Sequence, residues 1–406
     1  MRLDLTTRYS LVHDWLPIWT ARLFILFLII FPKGGLDLGT MPLTWGYMLI
    51  GMAAVGLMPV FFYRVFSNQI ETRVYGFAVC IGIFFFWVFA SICMNGSTTT
   101  LGFLVSLFIS TLVLPLFFIL LLPRPTSPIF YRAFIKDLKN ALFVVALLGV
   151  VLFLYKLITG DFIGIPYLTF TGSDVSALDE KDNSRNSDVS KLISTYNNGN
   201  IYGACMLMSL PFYDEAEKSL WKRLFFKMAI CLTLSRTAWA GLMFYQIFDF
   251  MVFHKISFKK LIVFILGMVL SVFAILVVAE YMQWDFSTIF DRELGGRTLY
   301  QGEVTMLPQD PFSGINEITY VSMLYDFGII GLVLFLVFYF APSVYLGLYT
   351  EKLGRWRKRA LFGIIVYWMV SLSDGAFLLI PVTAFYWFFN WMLFNPKFLL
   401  IEDVAN

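Results

Sequence analysis

The sequence predicts an all-α, polytopic integral membrane protein, and three observations carry that prediction. Of the 406 residues, 59% are hydrophobic and only 14% charged, where a soluble domain carries roughly a quarter charged. Apolar runs long enough to cross ~30 Å of hydrocarbon recur along nearly the whole chain, which implies helices rather than the short alternating strands of an outer-membrane barrel. The net charge of +3 is too small for nucleic-acid binding, so the informative quantity is how the basic residues divide between loops.

Taken in order, hydropathy places spans at 17–32, 43–63, 74–94, 99–121, 141–158, 199–213, 224–235, 237–253, 261–280, 328–348, 360–375 and 377–396, about twelve in all. Two long polar segments, 159–198 and 281–327, interrupt them. The chain therefore divides into an N-terminal group of helices (1–158), a first large loop (159–198), a helical group broken around Arg236 (199–280), a second large loop (281–327), and C-terminal helices with a tail (328–406). No internal repeat or low-complexity tract stands out. No cleavable signal peptide is expected, because PKGG and further spans follow the first apolar run. Cys80, Cys93, Cys205 and Cys231 lie in apolar segments without CxxC spacing, so buried packing is expected rather than disulfide or metal chemistry.

Residues 224–253 read either as one long helix with Arg236 at its middle or as two helices meeting there. With a break and an inside N-terminus, 22 of the 30 lysines and arginines fall inside and 8 outside. Without it the division is 15 to 14, with Arg236 in the membrane, and the positive-inside bias disappears. The break is therefore preferred. It makes both termini cytoplasmic and turns Arg236 and both large loops to the outer, periplasmic face.

A helix over 224–235 rises only ~18 Å and cannot cross the hydrocarbon alone, which places Arg236 below the outer surface. An arginine at that depth needs water, an anion or carbonyls; the alternative is one that snorkels to headgroups or pairs with an acidic neighbour. Arg297 follows two glycines on the same face, in a loop of almost fifty residues. Its alternative is a surface salt bridge to Asp291 or Glu293. Two guanidinium forks there match the oxygens of a diphosphate.

Three segments, "LTLSRTAWAGL" (232–242), "GGRTLYQGEVTMLPQDPFSGI" (295–315) and "YVSMLYDFGIIGLVLF" (320–335), together resemble the O-antigen ligase and polymerase superfamily. The shared pattern is an SR dipeptide between helices, a G-R opening the large outer loop, a P-x-x-G within it, and GxxG at the next helix. "YNNGNIYG" (196–203) is similar to the asparagine-rich lead-in to an earlier helix of that family, without its proline. The resemblance covers about 200 residues.

It implies a metal-independent, inverting glycosyl transfer without cofactor on the periplasmic face of the bacterial inner membrane. Donor and acceptor are then undecaprenyl-diphosphate-linked oligosaccharides, with a chain-length-regulating membrane protein as partner. Arg236 and Arg297 match the role of stabilising the departing diphosphate, and Ser235, Asn197, Asn200, Tyr320 and Tyr325 the role of binding substrate. Ligases of the superfamily carry a histidine about eleven residues before the GxxG; here that place is Glu317, and the chain's two histidines, His13 and His254, fall in segments read as cytoplasmic. This favours polymerase over lipid A-core ligase, with Glu317 as candidate base or, alternatively, a carboxylate at a helix start. Tyr320, Tyr325 and Trp284 read equally as interfacial aromatics. A lipid-linked-oligosaccharide flippase is the rival from another class; the N-terminal spans, nearly free of internal charge, argue against it.

Overall fold

The computed structural model describes residues 17–37, 39, 42–67, 72–122, 124, 125, 127–173, 191–253, 262, 280, 303–315, 318–349, 353–374, 377 and 380–401. Of the described residues, 78% are helical and 4% are in strands. Its helices are α1 (Pro17–Ile30), α2 (Trp45–Phe66), α3 (Thr72–Asn95), α4 (Leu101–Leu121), α5 (Pro128–Thr159), α6 (Gly199–Ala216), α7 (Leu220–Cys231), α8 (Arg236–Phe253), α9 (Thr319–Tyr349), α10 (Arg355–Asp374) and α11 (Ile380–Phe394). A two-stranded antiparallel ribbon, β1 (Gly35–Asp37) and β2 (Pro42–Thr44), joins α1 to α2.

Among the described residues, five helices, α2 to α5 and α9, are long and apolar enough to cross a membrane. The side chains they leave uncovered are large and apolar: Val55 of α2 is 75% exposed and Phe66 84%, and Phe86 and Phe89 of α3 behave likewise. No soluble protein presents such a continuous apolar face to water, so this is a membrane protein. The other helices are shorter or more polar, and the predicted span 261–280 lies outside the described residues apart from Ile262 and Glu280.

Several boundaries differ from hydropathy for physical reasons. α5 begins at Pro128 rather than 141; its first turns carry Arg132, Lys136, Asp137 and Lys139, which end an apolar window but not a helix. α4 contains two π turns, Ile109–Val113 and Phe117–Leu121, around Pro115, whose ring removes a regular intrahelical bond. The cysteines are free thiols, yet only Cys205 is fully buried and Cys93 is exposed, because α3 turns that face outward.

α6 is the axis of the bundle. Its side chains from Ile201 to Tyr213, Gly203 apart, are all covered, as a helix that is apolar all round must be. Gly363 lets α10 lie directly on it, since a Cβ there would fall 2.0 Å from the Met208 carbonyl oxygen.

Two sets of contacts mark the two ends of the bundle. At one end ion pairs join successive helices: Arg22 to Asp137 (2.7 Å), Lys139 to Glu217 (3.3 Å) and Lys227 to Asp214 (2.7 Å), while Arg355 and Arg359 hold Glu215 and Arg359 also holds Asp249. At the other end the connecting segments bond to each other through backbone. The Leu192 amide donates to the Leu232 carbonyl (3.0 Å), that of Thr98 to Phe312 (2.9 Å), that of Gly172 to Gly35 (3.2 Å) and that of Ile329 to Thr305 (3.0 Å). The bundle is thus tied by charge at one end and by main chain at the other.

Candidate functional site

Arg236 is the first residue of α8, and the four residues before it reverse the chain. α7 ends at Cys231; the amides of Thr233 and Leu234 then donate to the carbonyls of Ile230 (3.2 Å) and Cys231 (3.1 Å). Leu234 is held at φ +52°, a left-handed conformation that costs a non-glycine residue about 1–2 kcal/mol. Ser235 caps the new helix, its buried hydroxyl accepting from the Ala238 amide (3.4 Å). α7 and α8 therefore form a hairpin. Lys227 and Tyr245, each nine residues from Arg236, meet at the same Asp214 oxygen, both at 2.7 Å. One continuous helix would hold them about 27 Å apart.

Arg236 sits half-buried at the apex of this hairpin. α7 has twelve residues and rises about 18 Å, less than the ~30 Å hydrocarbon core of a bilayer. Thr233 packs against Gly199 and Gly203 at the start of α6, and the end of the first loop closes over the apex through Leu192.

That loop end, 191–198, closes the first large polar segment and is packed into the bundle. Leu192, Ser194, Thr195 and Tyr196 are all buried. Their hydroxyls donate to helix carbonyls: Ser194 to Val145 (3.2 Å), Thr195 to Ile30 (2.5 Å) and Tyr196 to Ile29 (2.8 Å). Asn197 takes φ +55° and donates from Nδ2 to the Thr169 carbonyl (3.0 Å), holding the loop to itself. The helix is capped by Asn198, whose Oδ1 accepts from the amides of Asn200 (2.8 Å) and Ile201 (3.2 Å). Residues 174–190 lie outside the described residues.

The second large loop returns to the bundle in an unexpected way. α9 is two helices joined at Gly328, whose backbone is non-helical with φ +72°. The Tyr320 ring lies 5.9 Å from that of Phe335 and stacks 6.3 Å from that of Phe340, whereas residues this far apart on one straight helix are separated by more than 20 Å. Residues 319–327 thus run back into the bundle alongside the long helix that follows Gly328. A Cβ on Gly328 would lie 2.5 Å from the Met306 carbonyl oxygen, and the Trp87 indole donates to the Phe327 carbonyl (3.1 Å) just before the bend.

Gly328→Val is accordingly expected to destabilise the protein by about 2 kcal/mol or more. Thermal unfolding of the detergent-solubilised variant checks this; an unchanged midpoint contradicts the bend.

The bend brings Tyr320 beside the α10 terminus that also meets α8. Tyr320 and Ser371 share a hydrogen bond between hydroxyls (2.6 Å), and Thr237, next to Arg236, shares one with Ser373 (2.9 Å). Through Thr237, Ser371 and Ser373, the start of α8 and the back-running segment each bond to the end of α10, at positions two apart on that helix and so on different faces of it. Sequence reasoning passed over these three, although "SLSD" closing an apolar helix was a visible signal. Tyr325 is half-buried on the same back-running segment. Arg297 and Glu317, with Trp284, Asp291, Glu293, His13 and His254, lie outside the described residues.

Chemically, an arginine at a helix N-terminus, flanked in sequence by two hydroxyl residues, offers charge and neutral donors to an oxyanion. Among the described residues no three histidine, cysteine or acidic side chains converge as a metal site would require. No protein-family model and no curated protein matches the chain.

Proposed function

We propose that the protein is a polysaccharide polymerase of the bacterial inner membrane. It transfers a growing glycan from undecaprenyl diphosphate to the sugar end of a lipid-linked repeat unit, by inverting, metal-independent glycosyl transfer on the periplasmic face. The observation that supports the reading is Arg236 at the apex of a hairpin whose first helix has only twelve residues, set in sequence between Ser235, which caps α8, and Thr237, which bonds to Ser373. In this reading Arg236 and Arg297 hold the diphosphate as it leaves, and Glu317 accepts the proton of the attacking hydroxyl. Tyr320, Tyr325, Asn197 and Asn200 border the glycan, with no metal or cofactor. A chain-length-regulating membrane protein is the expected partner.

The deciding experiment is the surface polysaccharide of cells lacking the protein. Single repeats attached to lipid A-core support a polymerase; loss of all attachment supports the ligase, and lipid-linked repeats retained on the cytoplasmic face support a flippase.

Orientation is tested separately. Cysteines at Asn183 and Gln309 are expected to react with an impermeant thiol reagent from the periplasmic side, and one at Lys358 to be protected. This follows from the positive-inside division of 22 against 8. Opposite labelling of Asn183 and Gln309 contradicts the assignment of both loops to one face.

A further inference from the structure

At the ion-paired end of the bundle, away from the Arg236 site, α1, α2, α4, α5 and α11 enclose a cavity of about 330 Å³. Its wall is aliphatic and aromatic, with Thr20 and the indole of Trp391 as the only polar side chains among the lining residues. Trp391 is 3% exposed, and its indole N–H has no hydrogen-bond partner among the described residues. A buried donor left so costs on the order of 1–3 kcal/mol.

The edge of the cavity is cationic. Arg22 follows the lining residue Ala21, and its guanidinium lies 5.0 Å over the Trp19 ring while pairing with Asp137. A cleft lined by Arg22 and Asp137 shares Ala21, Ile25, Phe130 and Phe134 with the cavity. Arg124 stands between the lining residues Leu122 and Pro125, close enough to Tyr131 to act on its charge.

From this we infer that the cavity is a binding site for a membrane glycerophospholipid. One acyl chain fills the apolar interior and the headgroup phosphate meets Arg22 and Arg124. Apolar cavities stay dry and take up apolar molecules, and an unfilled one forfeits the dispersion contacts of its walls. In a bilayer the neighbouring hydrocarbon is lipid chain, and a chain with an ester carbonyl near its head also supplies an acceptor for Trp391. Cation at the rim and hydrocarbon inside is the complement of a phospholipid, not of a free hydrocarbon.

The inference does not rest on the proposed enzymatic activity, and its test uses none. The full chain, purified in mild detergent and washed free of loose lipid, is expected to carry one phospholipid per chain in native mass spectrometry. Ala384→Phe, which fills the cavity, is expected to lower that retention about tenfold, and Arg22→Gln to weaken it for phospholipid while leaving detergent binding unchanged. If Ala384→Phe does not fold, reconstitution into vesicles of acyl-brominated phosphatidylglycerol replaces it. There wild type is expected to lose more tryptophan fluorescence than Trp391→Phe. No retained lipid, detergent alone, a polyprenyl lipid in place of phospholipid, retention indifferent to Ala384→Phe, or equal quenching each overturns the inference.

Discussion

Arg236→Ala and Arg297→Ala are each expected to abolish chain extension on lipid-linked repeats while leaving folding and membrane insertion intact. Removing one preorganised donor to a developing oxyanion typically costs 10²–10³ in rate (~2.7–4 kcal/mol), and a full guanidinium facing a diphosphate stands at or above the upper end of that range. Lysine at either position is expected to rescue only part of the rate, because it supplies a point charge without the fork. Arg236 begins a helix whose cap is Ser235 and whose neighbour Thr237 reaches Ser373, so its loss leaves the turn's own hydrogen bonds in place. Thr237→Val is the matching control: it removes the link to Ser373 but keeps the charge, and is expected to cost about 1 kcal/mol of stability with most of the rate retained. Turnover by purified Arg236→Ala or Arg297→Ala at the wild-type level removes that residue from the mechanism.

Glu317→Gln carries the next largest effect. Glutamine keeps the size and hydrogen bonding of the side chain but cannot accept a proton. If Glu317 is the base, turnover falls by ~10²–10⁴ with donor binding little changed. Glu317 stands two residues before the start of α9 at Thr319, and α9's first segment runs back toward Ser371. A carboxylate acting only at that helix start loses ~1 kcal/mol of stability at most and almost no rate on the same change. Turnover and thermal midpoint are measured on the same samples; near-normal turnover with a small loss of stability leaves the chemistry to the arginines and to positioning.

Where side-chain chemistry repeats along the chain, the fold was legible before any coordinates. Apolar runs placed most of the described helices within a few residues, the starts of α5, α9 and α10 excepted, and the distribution of lysine and arginine placed a break at Arg236, where a turn with Leu234 at φ +52° now stands. Three features were hidden. Residues 319–327 read as the end of the polar loop and 328–348 as a span, so the helix before Gly328 and its reversal were not seen, because hydropathy is blind to direction. Residues 191–198 look like a polar loop, since composition does not tell a hydroxyl donating to water from one donating to the Val145 or Ile30 carbonyl. The bonds of Thr237 to Ser373 and of Tyr320 to Ser371 exist only once α8 and the start of α9 meet α10, so the residues could be seen as hydroxyls in the sequence but not as partners. Asn197 and Asn200 were legible as a helix lead-in, but the cap fell to Asn198.

The brevity of α7 also bears on how the chain is made. A twelve-residue helix presents too little hydrocarbon-soluble length to partition into the bilayer by itself as it leaves the insertion machinery. It enters together with α8, as a pair, after both have been synthesised and the turn at Leu232–Ser235 has closed. The Lys227 and Tyr245 contacts to Asp214 then lock the pair to α6, which emerged earlier. A chain truncated between Cys231 and Phe253 is accordingly expected to leave α7 without the partner helix that helps lock it to α6.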